Sequence, residues 1–351
     1  MDRSTKSLLI GLIALAIASS PGLALMFRLS KNQGYFHPAR LDLEAGEAIN
    51  IFSSYGYLRE GFHILPTNAT EPWVIRMPTL KPLKDVPVQN DSLDHKGDIE
   101  FEFCSGPKQL LHAYFRHFSI DGIPRVWNSF LIGWDRDTFA RFMGIKKHFL
   151  SNSYSYVLVR ILRREKSGSL SGDEGPSLTD AAFHELGNIT VGDEAGVLRF
   201  FEKHGTHYVD KYTTGGLMYQ VYAYSRKKFN SLINQLSKKT VKNWPPSYFD
   251  FVFSPWFSDH SGEVMVASGN SSILDWMHQN LNASFFIYSH HSLLNVYRDD
   301  SLMHELATIL GEDVIIELKL RTIVPAIKDE EKRLWVEEIL MNRLALWEVG
   351  I

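Results

Sequence analysis

The spacing of apolar positions changes several times along the chain. Between residues 98 and 104, Ile99, Phe101 and Phe103 alternate with Asp98, Glu100 and Glu102, a two-residue period that predicts a half-buried strand. Helical spacing follows: Leu110, Leu111, Tyr114, Phe115 and Phe118 share one stripe, and Phe139, Phe142 and Met143 another. Residues 154–164, YSYVLVRILRR, are rich in Val, Ile and Tyr and predict a strand, whereas 165–176, EKSGSLSGDEGP, predict a loop. Helices are expected over 179–186 and 193–204, the second with Asp193 as N-cap and Val197, Phe200 and Phe201 as its apolar face. Residues 217–224, LMYQVYAY, continue a strand. Phe229, Leu232, Ile233 and Leu236 fit one helix, and Ile273, Trp276, Met277 and Leu281 another. A strand is expected within 284–297, around FFIYS and LLNVY, and a helix over 302–310. Ile316, Leu318 and Leu320 alternate with Glu317, Lys319 and Arg321, which predicts a strand over 314–324. Residues 329–347 predict a closing helix that opens in acids, as the helix macrodipole prefers.

Strands separated by long helical insertions, without regular β–α alternation, indicate an α+β fold. Before residue 96 the pattern is weaker. Prolines recur at 38, 66, 72, 78, 82 and 87, and 25–95 reads as a segment of loops and short strands. At the start of the chain, Arg3 and Lys6 precede the apolar run Leu8–Ala18 and the small-residue pattern Gly22-Leu23-Ala24. This is the layout of a secretory signal peptide over 1–24, and the run is short of the roughly 20 residues a membrane helix needs. Acceptor sequons at Asn68, Asn90, Asn188, Asn270 and Asn282 agree with an exported glycoprotein. The expected location is therefore extracellular.

Composition narrows the function. The 351 residues are 44% hydrophobic and 13% aromatic, enough for a substantial core. A formal charge of −3 offers no basic surplus for nucleic acid. Cys104 is the single cysteine, so no internal disulfide can form, and its place in IEFEFCSG reads as a buried small hydrophobe. HELGN at His184 and HELAT at His304 lack the second histidine that a zinc-protease helix requires. Neither a nucleophile elbow nor a phosphate loop is present. No enzyme activity, metal or cofactor is expected.

One stretch is distinctive: His204 to Gly216, HGTHYVDKYTTGG. Gly205, Thr206, His207 and Tyr208, then six residues, then Gly215 and Gly216, resemble the signature of the membrane-attack-complex/perforin family. His204 departs from it, standing where the family usually has Tyr or Trp. The resemblance covers about residues 96–325, leaving 326–351 as a C-terminal helix. It implies a sharply bent four-stranded antiparallel sheet, the glycine pair at the bend and two inserted helical clusters, here near 107–150 and 226–283. In lytic members those clusters unwind into membrane hairpins.

This chain lacks the alternation that a membrane strand needs. Neither parity of positions is apolar from Phe229 to Ser237, and Lys227, Lys228, Lys238, Lys239 and Lys242 would each be costly against lipid. Phe249, Phe251 and Phe253 are the one alternating exception. A sugar on Asn270 would also oppose insertion of the second cluster. The expectation is a secreted, non-lytic member. Resemblance to an insect signalling member implies that it promotes localised activation of a receptor tyrosine kinase. The implied partners are an extracellular protein ligand or a component of that receptor pathway, with association to a membrane or extracellular matrix as a further contact. The alternative is a pore-forming or membrane-perturbing protein.

Overall fold

The computed structural model describes residues 45–52, 99–129, 135–170, 176–237, 240–266, 271–281, 292–310 and 314–350, together with four two-residue strands between 58 and 81. All of them lie in one compact unit, Pro38–Ile351. The signal segment 1–24 and most of 25–95 fall outside the described residues.

In chain order the strands are β1 (Ala48–Ile49), β2 (Leu58–Arg59), β3 (His63–Ile64), β4 (Ile75–Arg76), β5 (Leu80–Lys81), β6 (Ile99–Cys104), β7 (Phe118–Ile120), β8 (Tyr154–Ser169), β9 (Ser177–Leu178), β10 (His207–Ser225), β11 (His260–Ser261), β12 (Met265–Val266) and β13 (Val314–Thr322). The helices are α1 (Pro107–Tyr114), α2 (Arg136–Phe142), α3 (Asp180–Gly187), α4 (Glu194–His204), α5 (Arg226–Leu236), α6 (Pro246–Val252), α7 (Ser271–Asn280), α8 (Leu294–Arg298), α9 (Asp300–Ile309) and α10 (Glu330–Gly350).

β10, 19 residues long, is the spine of the main sheet. β8 runs antiparallel along it from Tyr154↔Ser225 to Ser169↔Lys211, and β6 pairs with the outer side of β8. On its other side β10 pairs with β13 from His207 to Gly215, and with β12 and β11 from Met218 to Ala223. Four strands are expected; the four longest, β6, β8, β10 and β13, lie side by side in that order, all antiparallel. The sheet is larger than expected, with nine strands, and β7 joins β13 in parallel.

The sheet is buried on both faces, which explains why β8 and β10 read as nearly continuous apolar runs. Tyr156, Leu158, Leu162, Leu217, Tyr219 and Val221 face one core, shared with α1, α2, α3, α4 and α10. Val157, Val159, Ile161, Met218, Tyr222 and Tyr224 face the other, shared with α5 through α9. The two helical clusters therefore cover opposite faces.

Several expectations change. Residues 165–169 extend β8 instead of starting a loop, because Lys166–Ser169 pair with Lys211–Thr214. Phe118 leaves the α1 stripe and begins β7. Leu294–Arg298 is a helix, not a strand, and 282–291 lie outside the described residues. Phe249 and Phe253 are buried while Phe251 is exposed, because Pro246–Val252 form a helix opened by proline, not an alternating strand. The second cluster continues past residue 283, through α9.

Candidate functional site

The signature residues occupy the junction between α4 and β10. Gly205 ends α4 with φ +85, and a Cβ there would stand 2.9 Å from the backbone nitrogen of Ile49. Only glycine suits both the left-handed backbone and the close passage of β1. Thr206 then ties β1 to β10: its backbone N–H donates to the Ile49 carbonyl at 3.0 Å, and its hydroxyl oxygen accepts from the Ile51 N–H at 3.3 Å. His207 is fully buried, and its Nε2–H donates to the Asp121 carbonyl at 2.9 Å. That bond fixes the neutral tautomer, so Nδ1 accepts from the Thr206 hydroxyl at 3.0 Å. Burial pulls the imidazole pKa down to about 4, against the smaller opposing effect of the Asp121 carbonyl. Tyr208 packs into the core opposite Ala48 and Arg321, and burial pushes its hydroxyl up to about 12. His204 still packs as an aromatic. Its ring lies 4.7 Å from that of Phe200, and Nε2 is 2.8 Å from Glu185.

The glycine pair marks an irregularity on both sides of β10. Thr214 pairs with Lys166 but Gly215 with Arg164, so β8 carries Glu165 as an extra residue. Thr213 pairs with Glu317 but Thr214 with Ile315, so β13 carries Ile316 as an extra residue at the same level. Bulges bend a strand and increase its twist. Two at one level interrupt the regular pairing on both sides of β10 at Thr213–Gly215. A Cβ on Gly215 would overlap the Arg163 carbonyl oxygen and lie 2.8 Å from its carbon. Glu317 spans this level from β13, accepting from Arg164 Nε of β8 at 3.0 Å and from the Thr213 hydroxyl of β10 at 3.1 Å. Burial would raise its carboxyl, but the Arg164 bond and charge outweigh this and leave it below the usual range.

Beyond the glycine pair, the sheet grips the helical clusters by their C-terminal carbonyls. Arg160, 1% exposed, donates to Ala113 O at 2.7 Å and Tyr114 O at 3.3 Å, the last turn of α1. Tyr219 donates to Phe142 O at 2.5 Å, the end of α2. Tyr156 donates to Phe149 O at 2.8 Å and accepts from the Ser151 N–H at 3.0 Å, closing the short turn 147–149. Tyr224 donates to Val252 O at 3.1 Å, the end of α6, and Arg163 to Leu310 O at 3.0 Å, past α9. Helix ends leave these carbonyls without intrahelical partners. Burial raises the phenols of Tyr156, to about 12, and of Tyr224, so both stay donors. Arg160 is balanced by Glu100 at 2.6 Å and Glu102 at 3.3 Å on β6. Burial alone would raise the Glu100 carboxyl. The His117 hydrogen bond and the Arg160 charge reverse that and take it down to about 2.

Arg160 carries no motif. Its signal in the sequence is a single cation inside the apolar run of β8. Cys104 is buried at the end of β6, and burial raises its thiol to about 12. Asn188 is exposed at the end of α3. Asn68, Asn90, Asn270 and Asn282 lie outside the described residues. Among the described residues no group of three His, Cys, Asp or Glu side chains could hold a metal, and no helix is long and apolar enough to cross a membrane.

No family model and no curated protein sequence matches the chain. Its solved structural neighbours include perforin-like proteins. It is similar to GNIP1Aa from Chromobacterium piscinae at 11% identity and TM-score 0.43, covering 86% of this chain and 57% of the other. Astrotactin-2, a vertebrate-specific, perforin-like membrane protein involved in neuronal development, aligns at 14% identity and TM-score 0.36 over 84% of this chain and 97% of that one. A cell invasion protein with a MAC/Perforin domain from Bacteroides thetaiotaomicron aligns at 10% identity and TM-score 0.33, over 89% and 63%. The chain thus spans under two thirds of the length of the first and third.

Proposed function

We propose that this chain is a non-lytic member of the membrane-attack-complex/perforin family. It acts outside the cell and promotes localised activation of a receptor tyrosine kinase, the role that its sequence resemblance to the insect protein Torso-like implies. The observation that carries the non-lytic part is the set of five buried or half-buried sheet side chains, Tyr156, Arg160, Arg163, Tyr219 and Tyr224, bonded to the ends of five helical segments. Unwinding either cluster into hairpins would strand those groups at about 1–3 kcal/mol each. On this reading the signature maintains a bent platform, and partners bind the folded surface.

The test pairs two assays on the exported protein. Adding it to receptor-bearing cells with the receptor's ligand is expected to raise receptor phosphorylation. Liposomes loaded with dye are expected to stay sealed at the same dose. Dye release, or receptor activation unchanged by its removal, would overturn the proposal.

A further inference from the structure

The closing helix α10 is apolar on two opposite faces. Val336, Ile339, Leu340 and Leu344 point into the first core and are buried. Leu334, Met341 and Ala345 lie on the other side, where Leu334 is 56% and Met341 45% exposed. At 3.6 residues per turn, positions i, i+7 and i+11 fall within about 40° of one line, so the three form a single outward stripe. Glutamates border it on both flanks, all of them exposed: Glu330 and Glu337 on one, Glu331 and Glu338 on the other. Glu330 and Glu331 suit the positive end of the helix, but Glu337 and Glu338 stand two turns in, beyond the reach of the macrodipole.

The cations of the same helix are engaged elsewhere. Lys332 donates to the Leu186 and Gly187 carbonyls at the end of α3, at 2.9 and 3.2 Å, and Arg343 lies over the Phe52 ring, 5.7 Å from its centroid. Arg333 meets Glu330 at 3.8 Å. Glu331, Glu337 and Glu338 have no ion pair among the described residues. An apolar seam bordered by charge is the surface that one helix offers to another. Here the bordering charge is negative throughout. A second copy would set glutamate against glutamate, and an anionic bilayer would repel the face. Its complement is a helix that carries an apolar line between lysines and arginines.

We propose that the outer face of α10 binds a cationic amphipathic helix of a partner protein. The probe is a fluorescein-labelled peptide of leucine and lysine in helical period, about 18 residues or roughly five turns long, with a leucine–glutamate counterpart as control. Fluorescence anisotropy reads its binding to the full chain, with no receptor present, so the result stands apart from the signalling role proposed above. Only the leucine–lysine peptide is expected to bind, and more weakly as salt rises. Leu334→Ser is expected to weaken binding about tenfold or more, and Glu337→Gln with Glu338→Gln to weaken it and flatten its salt dependence. Glu194→Gln with Glu202→Gln removes two exposed acids of α4 and is expected to leave binding unchanged. All of these positions are exposed, so unchanged thermal melting certifies each variant. Equal binding by the parent and Leu334→Ser, the same loss in the α4 variant, or no binding of the leucine–lysine peptide would overturn the proposal. So would a dimer of the parent, or its binding to anionic vesicles, that Leu334→Ser abolishes.

Discussion

Gly215→Ala is the sharpest test of the close passage of β8 and β10 at the glycine pair. The added Cβ meets backbone, not a movable side chain: the Arg163 carbonyl, with the Arg164 Cα 3.2 Å away. Relief requires β8 and β10 to separate by on the order of 1 Å, enough to carry a ladder bond near 2.9 Å beyond hydrogen-bond range. Two such bonds left unsatisfied in a buried site cost about 1–3 kcal/mol each, and the overpacking adds about 1–3. The loss is then about 3–9 kcal/mol against a total stability of about 5–15. Thermal melting followed by tryptophan fluorescence should fall on the order of 10 °C, and the yield of folded protein should fall with it. Gly187→Ala is the control, since nothing lies within 4 Å of a Cβ there, and its melting point should hold or rise slightly. A Gly215→Ala protein melting within about 2 °C of the parent would refute the reasoning.

His207 gives a pH prediction. Its folded pKa is about 4 against an ordinary 6.5, so its contribution is complete above pH 6.5 and is lost as pH falls toward 4, about 3 kcal/mol in all. Urea titrations across that window should show a shallower acid dependence in His207→Gln, and an unchanged dependence would contradict the buried neutral assignment. Arg160→Met leaves Glu100, Glu102 and two helix carbonyls without their cation and should cost about 3–5 kcal/mol, partly restored by adding Glu100→Gln; a loss below about 1 kcal/mol would show that the network is dispensable. Cys104, with its thiol raised to about 12, should resist iodoacetamide in the native protein and react once unfolded, so stoichiometric native labelling would disprove its burial.

Much of the sheet is legible in the sequence because its strands announce themselves locally. β6 and β13 alternate, and β8 and β10 concentrate Val, Ile and Tyr. The end of β8 does not. Glu165–Ser169 carries no apolar period, and it is strand because β10 supplies partners and Tyr212 lies across Gly168. Leu294–Arg298 shows the opposite failure: five residues of LNVYR suit either period, and packing of Leu294 and Val296 into the second core decides for helix. In the 246–253 stretch the alternation of phenylalanines coexists with the i, i+4 pair Phe249 and Phe253, and the buried pair prevails. The signature positions are readable from their spacing. The caps are not, because a tyrosine or arginine in a strand says nothing of which helix carbonyl it will meet.

The same caps bear on whether the first cluster can open by itself. Lifting α1 and α2 off the sheet would expose the side chains they bury, Leu110, Tyr114, Phe115 and Met143, and on the sheet Tyr219, which meets the Tyr114 ring at 5.2 Å, and Tyr156, bonded to the turn 147–149. At about 1.5–3 kcal/mol for each side chain, that is on the order of 10–20 kcal/mol before any bond to Arg160, Tyr156 or Tyr219 is counted. A whole domain of this kind is stable by about 5–15 kcal/mol. Opening the cluster is therefore no easier than unfolding the protein, and no separate open state should be populated. Amide hydrogen exchange reads this directly: protected amides late in α1, such as those of Ala113 and Tyr114, should exchange with the free energy and urea dependence of Leu158 and Tyr219 in the strands. If α1 instead exchanged through a cheaper opening while β8 and β10 stayed protected, the cluster would be a hinged element, and the case for a permanently folded platform would fail.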